Sequence, residues 1–170
     1  MSWPKKHDRE KYEIDRFIEL YQKLPHGRKF GVVSHDREQP DCVVRDLTTN
    51  ERFGIELTSV YLNDRSVPDV HKTPNIHFND PVYSDADVMT YKQRILQAMS
   101  EKVSKARNGY DLTFPLILSV YLNEYIARDE CEEDELKALV DENENLFNNM
   151  QPFKEIVFLL PSGNPFSVIP

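Results

Sequence analysis

Asp41 and Glu56 stand where a strand would more cheaply carry apolar side chains. The stretch Pro40 to Val60, PDCVVRDLTTNERFGIELTSV, contains two short apolar runs, Cys42-Val43-Val44 and Phe53 to Leu57, joined by the polar Thr48-Thr49-Asn50-Glu51. Branched side chains bounded by turn residues predict a β-hairpin. Asp41 opens the first run and Glu56 lies inside the second. A carboxylate in a strand bound for the core costs on the order of several kcal/mol unless it is paired or holds a cation. Two of them side by side on neighbouring strands would make a divalent-metal site. Asp46 and Glu51, near the turn, read as solvent-facing charges.

Other catalytic patterns are missing. The chain has no Gly-x-Ser-x-Gly, no phosphate-binding glycine loop and no dinucleotide fingerprint. Cys42 beside Asp41 is a poor nucleophile, because a neighbouring carboxylate raises a thiol's pKa. His71 and His77, near Asp69 and Asp80, match no zinc spacing and read as surface histidines. Pro68-Asp69 repeats the Pro40-Asp41 dipeptide, but no strand follows it.

The elements that must position the hairpin follow from periodicity. Ile14, Phe17, Ile18, Tyr21 and Leu24 recur at helical spacing, predicting a helix over 8–24 that Pro25-His26-Gly27 ends. Glu10 projects near the middle of its apolar face and Glu13 at the edge; a solvated first-turn carboxylate is the plainer reading of each. Lys29 to Ser34 is a short strand. The long, proline-punctuated stretch from Tyr61 to Ser84 has the character of a binding loop. Asp85 to Arg107 is the strongest helix, with Ser84 as N-cap, Val88, Ile95, Met99, Val103 and Ala106 as its buried stripe, and Gly109 as C-cap. Lys92 falls within that stripe and Lys102 on its shoulder. A lysine so placed either snorkels to water or reaches the hairpin carboxylates. Thr113 to Tyr121 and Ile156 to Leu160 are buried strands, a helix runs between them at about 134–148, and the tail SGNPFSVIP is loop.

The Pro40-Asp41 strand, the turn and Gly54-Ile55-Glu56-Leu57-Thr58 resemble the core of the PD-(D/E)XK nuclease superfamily, with threonine in the lysine position. They also resemble uncharacterised bacterial nuclease-like proteins that carry this Glu-x-Thr variant. The order helix, three strands, helix, strand is similar to the superfamily core. The resemblance implies an α/β fold with a restriction-endonuclease-like core, a mixed central sheet of four to five strands flanked by helices, in one domain over 1–170. It implies Mg²⁺ or Mn²⁺ held by Asp41, Glu56 and the Leu57 carbonyl, with an acidic residue from the first helix, Glu13 or Glu10, as a further ligand. It also implies a lysine that has migrated to the following helix, Lys102 first, then Lys105 and Lys92, with Thr58 hydrogen-bonding a ligand or water. The activity implied is hydrolysis of phosphodiester bonds in DNA or RNA. The alternative is a nuclease fold that no longer cuts and binds nucleic acid or protein instead.

Composition is compatible with either. The 170 residues are 39% hydrophobic and suit one globular domain. The net charge of −8 opposes phosphate binding, but ten acidic residues between Glu124 and Glu144, set against Arg128 and Lys137, account for all of it. No apolar run is long enough to span a bilayer, and MSWPKKHDREK is no signal sequence. Cys42 and Cys131 make no metal spacing and read as reduced thiols of a cytoplasmic protein. Aromatic residues near Tyr121 to Ile126 are a candidate homodimer contact.

Overall fold

In the computed structural model, residues 5–35, 39–62, 84–123 and 132–170 are described. They form one mixed sheet between two layers of helix. In chain order the elements are α1 (Lys6–Tyr21), β1 (Phe30–Ser34), β2 (Cys42–Asp46), β3 (Arg52–Val60), α2 (Asp85–Arg107), β4 (Leu116–Leu122), α3 (Glu132–Glu142), α4 (Glu144–Phe147), β5 (Phe153–Leu159) and β6 (Pro165–Val168). The strands lie side by side in the order β1-β2-β3-β4-β5-β6. β1, β2 and β3 pair antiparallel, β3, β4 and β5 parallel, and β6 returns antiparallel on β5. Parallel neighbours need long crossovers, which is where α2, α3 and α4 fall.

The sheet therefore has six strands, not four to five. The added one, β6, comes from the tail expected to be loop. Gly163, at φ 85, supplies the left-handed turn that sends the chain back, closed by the Gly163 amide on the Leu160 carbonyl at 2.9 Å. Pro165 sits at the start of an edge strand, where its missing amide costs no ladder bond. The helix expected at 134–148 is two, because the chain departs from helical geometry at Asn143, with φ −123 and ψ 34. Asn108, rather than Gly109, occupies the C-cap of α2.

Alternation along β3 and β4 sorts the core into two halves. Phe53, Ile55 and Leu57 join Ile117 against Ile14, Phe17, Leu20 and Tyr21 of α1. Leu116, Leu118 and Val120 face Tyr91, Ile95, Met99, Val103 and Ala106 of α2. Tyr91 thus takes the place in the stripe expected for Val88. Ser84 caps α2 in a complete capping box with Asp87. No described helix is long and apolar enough to cross a membrane.

Asp46 is not solvent-facing as expected; it is 3% exposed. It ends β2 and accepts from the Thr48 and Thr49 amides at 2.8 and 3.3 Å, and these bonds hold its carboxyl below the usual range. Asn50, at φ 65, completes the turn. At the other end of the hairpin Gly54 lies under Pro40. A Cβ there would meet Pro40 Cγ at 2.7 Å and Leu116 Cδ2 at 2.6 Å. Leu116 can turn away, but the proline ring cannot. Gly54→Ala is therefore expected to lower stability by about 1–3 kcal/mol, read as a fall in the urea midpoint at unchanged slope.

Candidate metal and carboxylate site

Asp41 and Glu56 come together through register. Cys42 pairs with Ile55 and Val43 with Gly54. One further step brings Asp41 opposite Glu56, where side chains of directly opposed residues have Cβ atoms about 4.5–5.5 Å apart. Asp41 does not extend the ladder. Its Oδ2 accepts from the Leu57 amide at 2.8 Å, which ties the start of β2 to the far half of β3. A residue's amide and carbonyl leave the same edge of a strand, so the Leu57 carbonyl faces that corner too.

Glu56 occupies what alternation makes a core position under α2, and it is 2% exposed. Two donors meet on one of its oxygens: Lys102 Nζ at 2.6 Å and Tyr110 Oη at 2.5 Å, both to Oε1. The other oxygen, Oε2, is buried and has no hydrogen-bond partner. Such an orphan costs about 1–3 kcal/mol or more for a charged group. Lys102 is 21% exposed at its side chain, the partial burial expected of a helix shoulder. The ammonium that periodicity singled out does reach the hairpin.

The remaining expected residues divide. Glu13 is buried, not at the edge of the helix face, and accepts a short bond from Ser59 Oγ. Glu10 is half-buried and pairs with Lys6 at 3.4 Å. Both still act on the site: Glu10 raises the pKa of Asp41, and Lys102 lowers that of Glu13. Thr58 follows Glu56 on the same face and is half-buried. Lys105 lies exposed in the last turn of α2, where its charge suits the helix dipole. Lys92 reaches Glu135 of α3 at 2.5 Å instead of the hairpin. Neither Lys105 nor Lys92 is bonded to Asp41 or Glu56.

Electrostatics mark the corner as strained by like charge. Burial and then Glu56 raise the Asp41 carboxyl, the Leu57 amide and Lys102 pull it back, and the net is a rise from 3.8 to about 6. Burial likewise raises Glu13, against the Ser59 bond. Tyr110 is held far above the ordinary phenol value by burial and by the Glu56 carboxylate, so it acts as a donor only. Among the described residues, no group of three or more histidine, cysteine, aspartate or glutamate side chains is arranged to hold a metal. What fits an ion is a smaller set: Asp41, the unpartnered Oε2 of Glu56 and the Leu57 carbonyl. All are hard oxygens of the kind Mg²⁺ or Mn²⁺ takes, with water completing the shell.

Tyr110 and Ser59 had no motif to announce them. Tyr110 follows the α2 cap in a short turn, and Ser59 continues the Glu-x-Thr strand. A further buried carboxylate, Glu155, lies apart. It accepts from Tyr21 Oη at 2.7 Å and Ser167 Oγ at 2.5 Å, and contacts His26 Nε2 at 2.5 Å. Cys42 is a free, buried thiol, pushed by burial and by Asp41 to about 12. Tyr121 is half-buried and packs edge-on to Tyr12 at 6.4 Å. Residues 124–126 of the candidate dimer contact lie outside the described residues, as do Cys131, Pro68, Asp69, His71, His77 and Asp80.

No protein-family model, curated protein or solved structure matches the chain.

The raised Asp41 carboxyl has a testable sign. Between the ordinary value of 3.8 and about 6 the folded chain holds a proton that the unfolded chain has lost. Stability therefore falls as pH rises through that window. Asp41→Asn keeps an acceptor for the Leu57 amide and removes the charge. Denaturant melts should show the variant matching the wild type near pH 4 and exceeding it at pH 7 by up to about 3 kcal/mol, at 1.36 kcal/mol per pKa unit.

Proposed function

We propose that the chain is a metal-dependent nuclease, hydrolysing phosphodiester bonds in DNA or RNA with Mg²⁺ or Mn²⁺. The observation that carries the reading is Glu56: a buried carboxylate opposite Asp41, with Lys102 on one oxygen and nothing on the other. Lys102 compensates one oxygen, and the buried Oε2 left without a partner still costs stability that a bound cation would recover. When bound, the ion polarises the scissile phosphate and acidifies a water.

The chain's own residues divide the remaining work. Asp41 and Glu56 supply charged ligands, and Leu57 a neutral one. Asp41 must be ionised to bind, so ion affinity should rise with pH through about 6. Lys102 stands within reach of Glu56, and an ammonium there is suited to orienting a water or balancing charge that develops on the phosphate. Thr58 is a hydrogen-bonding neighbour and not a base, since its hydroxyl stays protonated. Glu13 and Glu10 add negative potential from α1 and contribute to the ion from a distance.

A second reading is a nuclease-like fold that has stopped cutting and binds nucleic acid or protein. It is favoured by the direct Lys102–Glu56 ion pair, which already neutralises one of the two carboxylates.

The two readings separate in one set of assays. Wild type should nick DNA or RNA only with Mg²⁺ or Mn²⁺ added, and Asp41→Ala and Glu56→Ala should abolish cutting. Lys102→Ala should slow it by about 10²–10³-fold while the protein still melts cooperatively. A wild type that cuts no nucleic acid and whose thermal stability Mn²⁺ leaves unchanged would favour the second reading and remove the metal site, whereas a Mn²⁺ gain that vanishes in Glu56→Ala would rule the second reading out.

A further inference from the structure

We propose that Tyr110 is a positioning residue that sets which divalent ion the site prefers. The inference rests on the metal-site reading above and concerns how Glu56 presents itself. The Tyr110 hydroxyl and the Lys102 ammonium both bond Oε1, at 2.5 and 2.6 Å. Oε2 of the same carboxylate is left buried without a partner.

The two donors differ in what they can hold. Lys102 hangs on a flexible four-carbon stem and rises from a helix shoulder. Tyr110 is 7% exposed, and its ring belongs to the α2-side core with Val103, Ala106 and Leu116. Its hydroxyl is therefore fixed by packing, and with it the rotation of the Glu56 carboxylate. One oxygen is committed to protein donors and the other is turned away from them. Glu56 can then give an ion a single oxygen.

That restriction selects among ions. Ca²⁺ takes six to eight oxygens and readily uses both atoms of a carboxylate, whereas Mg²⁺ demands near-octahedral geometry and keeps several waters. Mn²⁺ shares the six-oxygen preference. A one-oxygen Glu56 beside Asp41 and the Leu57 carbonyl suits the smaller, water-retaining ions and gives Ca²⁺ too few ligands. With the tyrosine hydroxyl removed, only the mobile Lys102 restrains the carboxylate. It can then rotate to offer both oxygens. Tyr110 was not among the residues expected to matter, because its role depends on a contact 54 positions away in the chain.

The test is ion-dependent thermal stability, with Mn²⁺, Mg²⁺ and Ca²⁺ each titrated as the chloride into the full chain, and Mn²⁺ affinity from calorimetry. In the wild type, Mn²⁺ and Mg²⁺ should raise the melting temperature more than Ca²⁺ at equal concentration. In Tyr110→Phe, Mn²⁺ affinity should fall about 10–100-fold, the usual effect of losing a residue that orients a ligand. The Ca²⁺ shift should meanwhile equal or overtake the Mn²⁺ shift. Tyr110→Leu provides a second variant without the hydroxyl, and the wild-type ion preference is measured without any variant. A purely packing role would lower the ion-free melting temperature and leave the preference alone, and that result would overturn the proposal. So would a wild type that favours Ca²⁺. If the wild type responds to no ion, the metal site itself fails, and this inference goes with it. A wild-type response that Tyr110→Phe leaves unchanged sinks only the role of the tyrosine.

Discussion

A single buried carboxylate governs the architecture around the hairpin. Glu56 takes a place that the pleat reserves for the α2-side core, and it is nearly inaccessible to water. Left alone it would destabilise the sheet by several times the value of an ordinary contact, on the order of several kcal/mol. Its compensation comes from one direction only, the C-terminal half of α2 and the turn that follows. That requirement constrains the helix: Lys102 must sit on the shoulder while Val103 and Ala106 still pack inward. It constrains the turn as well, because Tyr110 must bring its hydroxyl back over β3.

The second constraint is that the sheet separates charges while its corner reunites them. Glu56 belongs to the α2 face, and Glu13, bonded to Ser59, belongs to the α1 face. The β2 ladder on β3 covers only Arg52 to Ile55, so the rest of β3 extends beyond its neighbour. At that overhang Lys102 influences Asp41 and Glu13 as well as contacting Glu56. One ammonium thus acts on three carboxylates, Asp41 and Glu56 of the hairpin and Glu13 from the α1 side of the sheet.

The hairpin, the long second helix and the buried strand β4 were legible because each has a strong local signature: alternation, a capping box, a continuous apolar run. The helix wheel put Lys102 only on the shoulder of the stripe, and its first rank came from the resemblance to the nuclease superfamily. Glu13 was harder, since its burial depends on Ser59 and not on the amphipathic pattern of α1. Asp46 and β6 were misjudged for a shared reason. A polar side chain that binds its own turn amides looks the same in sequence as a solvated one, and a short edge strand holding a proline looks like loop. Lys92 had the right angle for the site, but α3 carries Glu135 to it first. Tyr110 and Glu155 were invisible, because each depends on partners far away along the chain.

Glu155 has a consequence for the order in which the molecule assembles. Its Oε2 accepts from Tyr21 at the end of the first helix, and its Oε1 accepts from Ser167 in the last strand and contacts His26. Contacts this distant in sequence incur their loop entropy before they return any stabilisation, so they form late. The apolar stripe of α1, Phe17 and Leu20 included, is covered as soon as the hairpin strands are in place, so docking of the helix comes early and the fastening of its last turn through Tyr21 waits for β5.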